Sequence, residues 1–142
     1  MKIGNVEVMK SDIGSVVLVN RLTGAATPPI DCWAASGDNK YIIAQLPLGS
    51  HNIVILDNNL KILSGCDVSK LITDYEYNHI LELSEVVVSK EGIRFYVNYW
   101  SDGMADDTSG VYLYCDFRTG NWKELKSYEV DDGADYSWWR TK

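Results

Sequence analysis

Short runs in which apolar and polar residues alternate, each closed by Asn, Asp or Gly, recur along most of the chain. A strand shows its side chains to two faces in turn, so a period of two marks a strand with one buried face. Many such runs in succession predict an antiparallel meander. The expected strands are residues 16–20, 40–45, 52–57, 61–63, 86–89, 93–100, 110–117 and 122–125. The fold class is therefore mainly β: an antiparallel meander, partial-propeller-like or sandwich, with room for one short helix. At 142 residues and 46% hydrophobic content, a single domain over residues 1–142 is expected. A chain of this size buries about 70% of its unfolded surface and needs no external staple.

Turn chemistry punctuates the runs. Lys90-Glu91-Gly92 predicts a three-residue hairpin loop with Gly92 at positive φ. Asn58-Asn59 predicts a two-residue loop, because Asn tolerates the left-handed region. Thr27-Pro28-Pro29 and residues 104–109 read as loops, since Pro cannot donate to a ladder and the second segment has no apolar period. Residues 68–83 depart from the rhythm. Val68, Leu71, Ile72, Tyr75 and His79-Ile80 lie close to a helical stripe that Asp67 could cap, whereas the β-branched and aromatic content favours strand. Both readings stand at this point.

A weak internal repeat is visible. Val17-Leu-Val-Asn20, Val54-Ile-Leu-Asp57 and Tyr112-Leu-Tyr-Cys-Asp116 each end a strand on Asn or Asp, and the first and third continue x-x-Thr-Gly. The side-chain oxygen can accept from turn amides while Gly supplies positive φ. The pattern resembles the outer hairpin of β-propeller blades, although generic hairpins give it too. The spacing is unequal, and about three units cannot close a ring that takes typically four to eight blades.

The two longest strands are apolar or amphipathic on both faces. Ile93, Phe95, Val97 and Tyr99 oppose Arg94, Tyr96, Asn98 and Trp100, and Val111, Leu113, Cys115 and Phe117 oppose Tyr112, Tyr114 and Asp116. The aromatic face is either covered by a second layer or is a binding surface.

Motifs for catalysis are missing. There are two histidines, His51 and His79, and no G-x-S-x-G elbow, H-E-x-x-H or phosphate-cradling loop. A Cys32 or Cys66 pair with His79 is compatible with the sequence, although cysteines more often serve as small core hydrophobes. The three cysteines, Cys32, Cys66 and Cys115, are widely spaced with no C-x-x-C, and read as reduced, mostly buried thiols. The acid groups of residues 102–107 and 131–135 miss the order of a calcium loop. No cofactor, no metal and no enzymatic activity are expected. The net charge of −7 disfavours nucleic-acid and membrane-surface partners and attracts cationic ones. No run approaches signal-peptide or membrane-span length, so a cytoplasmic location is expected.

What remains is binding. Residues 100–142 hold four of the five tryptophans and nine of the twenty acids. The candidate partner-binding residues are Trp100, Asp102, Asp106, Asp107, Glu129, Asp131, Asp132, Asp135, Tyr136, Trp138 and Trp139. Carboxylates steer a basic protein toward the surface, while Trp and Tyr supply central contacts. A polar loop and a last strand whose tryptophans cap the core would explain the same tail.

In overall character, acidic, rich in Trp and Tyr, β and without catalytic motifs, the chain resembles the immunity proteins of bacterial contact-dependent growth inhibition and related polymorphic toxin systems. The resemblance carries no signature motif and transfers no residue's role. It implies an inhibitor of a cognate basic toxin domain, commonly a nuclease, whose phosphate-binding cleft an acidic surface would occupy. Two other readings use the same residues: a carbohydrate- or metal-handling β domain, and a structural β domain that oligomerises.

Overall fold

The computed structural model describes residues 2–10, 15–46, 52–68, 71, 80–100 and 108–125. The chain divides into two compact units, Met1–Val68 and Ser69–Lys142. The first unit contains β1 (Lys2–Ile3), β2 (Val6–Lys10) and β3 (Val16–Asn20) in one antiparallel sheet. It also contains β4 (Cys32–Ala35), β5 (Tyr41–Gln45), β6 (Asn52–Asp57) and β7 (Ile62–Asp67) in a second. The second unit contains β8 (Ile80–Val88), β9 (Gly92–Trp100), β10 (Thr108–Asp116) and β11 (Trp122–Leu125), again antiparallel. Within each sheet every strand pairs with its neighbour in sequence, so all three sheets are meanders. The mainly β, antiparallel expectation holds, and no helical element or closed barrel occurs among the described residues.

Alternation builds the core of the first unit. Ile3, Val6 and Leu18 from one sheet, with Ile30 from the segment bridged to β3, cluster with Ile42, Ala44, Val54 and Leu56 from the other, and Trp33 and Leu60 pack at the margin. Each fully buried Ile or Leu contributes roughly 1.5–3 kcal/mol. In the second unit Ile93, Phe95, Val97, Tyr99, Leu113 and Cys115 are all buried. The register sets Phe95 opposite Leu113 and Ile93 opposite Cys115. Trp122 meets Phe95 edge-on with ring centroids 5.9 Å apart.

The repeat in the sequence has a structural counterpart. Asn20 Oδ1 accepts from the amides of Leu22 and Thr23, and Asp116 Oδ1 from those of Arg118 and Thr119. Asp57 Oδ1 accepts from Asn59 and Lys61. Gly24 and Gly120 then donate to the carbonyls of Asn20 and Asp116, both at 2.8 Å, with φ of 78° and 74°. The turns of Asp57 and Asp116 join the last two strands of their sheets. The turn of Asn20 leads into residues 26–30, which run beside β3 through the bridges Val19↔Ala26 and Val16↔Ile30. Pro28 and Pro29 have no N–H, so this edge forms no continuous ladder, and Leu18 N donates to Thr27 Oγ1 instead of a carbonyl.

Several expectations are corrected. Gly92 does not adopt positive φ. It opens β9, where an added Cβ would lie 2.2 Å from the Cys115 carbonyl and 2.6 Å from the Tyr114 ring. Glycine is there for close approach. Asn58 and Asn59 likewise stay out of the left-handed region, which Leu60 enters at φ 65° while packing on the core. Thr108 and Ser109 are not loop: they pair with Trp100 and Tyr99 at the start of β10. Residues 104–107 lie outside the described residues. Residues 80–83 are strand, not helix. A register irregularity between Ile80 and Glu82 lets both Ile80 and Leu83 turn inward, which imitates a helical spacing of three. Of the expected stripe, Ile72, Tyr75 and His79 lie outside the described residues. Strands β1, β2 and β4 were not expected from the sequence pattern.

Candidate functional site

The register of the β8–β11 sheet fixes where its connections leave it. At one end, residues 89–91 join β8 to β9 and residues 117–121 join β10 to β11, and Phe117 N donates to the Glu91 carbonyl at 2.8 Å. Ser89, buried at 5% exposure, accepts from the amides of Glu91 and Gly92. At the other end, Ile80 lies opposite Tyr99 and Trp100 opposite Thr108, whereas β11 finishes at Leu125 opposite Tyr112, midway along β10. Residues 101–107 thus join β9 to β10 at that end and residues 72–79 precede β8 there, while residues 126–142 follow β11 from a position midway along β10. Those segments carry Asp102, Asp106 and Asp107, then Glu129, Asp131, Asp132 and Asp135, and before them Asp74 and Glu76.

Among the predicted site residues, Trp100 forms the last position of β9, with its backbone paired to Thr108. Asp102, Asp106, Asp107, Glu129, Asp131, Asp132, Asp135, Tyr136, Trp138 and Trp139 lie outside the described residues, as does the side chain of Trp100. Trp122 is the tryptophan of this region whose side chain is described, and its contact with Phe95 gives it a packing role.

The turn end of the same sheet has a different electrostatic character. Asp116 uses its carboxylate to accept from turn amides, and Arg118 NH2 lies 3.5 Å from Asp116 Oδ2. The Arg118 amide, with that guanidinium and the Thr119 amide, holds the Asp116 carboxyl below its ordinary value. Its charge is already matched within the turn.

One face of the sheet carries the half-buried rings of Tyr96 and Tyr112 and the buried ring of Tyr114, which clusters with Leu125, Val87 and Tyr112, together with two cations. Arg94 sits 5.4 Å from the centroid of the Tyr112 ring, Tyr96 meets Tyr112 edge-on at 5.1 Å, and Lys123 lies 5.8 Å from the Tyr114 ring. The cross-strand pairs Arg94↔Tyr114↔Lys123 and Tyr96↔Tyr112↔Leu125 explain why these groups meet. Tyr112 Oη donates to Glu85, with the carboxylate oxygens at 3.1 and 3.2 Å. Glu85 has φ 52° within the irregular stretch between Ser84 and Val87. Tyr96 Oη lies over Gly110, where a Cβ would be 1.6 Å away. Burial first, then the Asp116 and Glu91 charges, push the Tyr114 phenol up, so it stays protonated near neutrality. The sequence marked Tyr96, Tyr112 and Tyr114 as one face. Arg94 was on that face in the sequence too, whereas Lys123 and Glu85 needed the register to be seen.

The chemistry available on this sheet is stacking, charge and hydrogen bonding. Among the described residues no group of three His, Cys, Asp or Glu could hold a metal ion. None of the three cysteines is in a disulfide, Cys115 being buried and Cys32 and Cys66 half-buried, so the expectation of mostly buried thiols holds only for Cys115. His51 and His79, and with them the Cys–His pair, lie outside the described residues. Compared with known proteins, the chain matches no family model and no curated relative.

Proposed function

We propose that this chain is an immunity or inhibitor protein that binds and neutralises a cognate basic toxin domain, of the kind found in bacterial polymorphic toxin systems. The observation that carries the reading is the β9–β10–β11 ladder, to which both acid-rich candidate segments are joined in sequence, one between Trp100 and Thr108 and the other after Leu125. Acids far apart in sequence can then act on one partner, because their attachment points are held together by ladder hydrogen bonds. An acidic surface flanked by Trp100, Tyr136, Trp138 or Trp139 would steer a cationic domain by charge and hold it by ring contacts. No catalytic step by this chain is required, because occupying the toxin's phosphate-binding cleft suffices.

The test is co-expression with the product of the neighbouring open reading frame, followed by binding kinetics at low and high salt. Protection of growth, with an association rate that falls steeply with ionic strength, is the expected result. A variant with Asp131, Asp132 and Asp135 reversed to Lys that still associates as fast at low salt would remove the acidic tail from the mechanism.

A further inference from the structure

We draw no further inference here: the strongest candidate, the shallow pocket of about 320 Å³ beside β6 and β7 lined by Leu46, Ile53, Val54, Gly65, Cys66 and Asp67, joins an apolar wall to one carboxylate and one thiol, and nothing in the structure shows what fills it.

Discussion

Asn20 Nδ2 donates to the main-chain carbonyl of Asn58 at 2.6 Å, tying the turn after β3 to the turn between β6 and β7. The same side chain accepts from Leu22 and Thr23 through Oδ1, so both ends of its amide are used at a position only 2% exposed. Aspartate serves at the equivalent places, 57 and 116, where the side-chain oxygen alone is needed. Asparagine at 20 has a reason: a carboxylate there could not donate.

Asn20→Asp should therefore destabilise the protein by about 1–3 kcal/mol at neutral pH, since it places a carboxylate against a carbonyl in a buried turn. Urea denaturation read by tryptophan fluorescence measures the loss. Part of it should return once the introduced carboxyl is protonated and can donate. An unchanged midpoint at neutral pH would show that the Asn58 bond contributes nothing.

Gly92→Ala and Gly110→Ala should differ in severity. At Gly92 the new methyl meets the Cys115 carbonyl, which belongs to the ladder and cannot swing aside. At Gly110 it meets the Tyr96 phenol, the far end of a side chain that can rotate away. Overpacking of this kind costs typically 1–3 kcal/mol. Gly92→Ala should lie at the top of that range or above, and Gly110→Ala near the bottom, in thermal melts of the two variants.

Stability should fall as the solution is acidified. The Ser36 hydroxyl, with the Lys40 amide, holds the Asp38 carboxyl below its ordinary 3.8, and the Arg118 amide does the same for Asp116. A carboxyl lowered by folding stabilises above its unfolded pKa, and that contribution is lost as pH drops through the folded value. The loss should thus begin below about pH 5 and continue under pH 4. Asp116→Asn keeps an acceptor oxygen but no charge, so its difference from the native chain should be largest at neutral pH and shrink in acid. Denaturation midpoints across that range decide the point, and a constant difference would overturn the assignment.

For the proposed partner, charge and rings should separate kinetically. Replacing Asp102, Asp106 and Asp107 by Asn should slow association and flatten its salt dependence, with little change in dissociation. Trp138→Ala or Trp139→Ala should chiefly hasten dissociation, by 10-fold or more if a ring sits at a hot spot, on the order of 1.4 kcal/mol or above. Surface plasmon resonance against the neighbouring gene product reads both rates. Acid variants that altered only dissociation would contradict the steering role.

The fold was legible where local chemistry decides it. Val16–Asn20, Asn52–Asp57 and Trp122–Leu125 have the bounds their alternation and closing residues imply. The Asn20 and Asp116 turns could be read from Asn/Asp-x-x-Thr-Gly because their bonds span only a few residues. Strands that depend on partners were harder to see. β1 has two residues, too few to show a period, and β4, Cys-Trp-Ala-Ala, has no apolar–polar alternation and is half-buried throughout. The start of β8 hid behind an irregularity that gave its apolar residues helical spacing. Gly92 was misread because a glycine after Lys-Glu looks the same whether it serves a left-handed turn or makes room for the Tyr114 ring. The candidate acids and rings were visible as composition. That their segments adjoin neighbouring strands of one sheet follows only from strand order and register.

The division of labour between the two ends of the β8–β11 sheet bears on how such a protein can diversify. Because Ser89 and Asp116 lock the hairpins at the end away from Trp100, sequence drift between β9 and β10, or beyond β11, leaves those locks intact. On the proposed reading, lineages could exchange one toxin partner for another by rewriting these stretches while inheriting an unaltered scaffold.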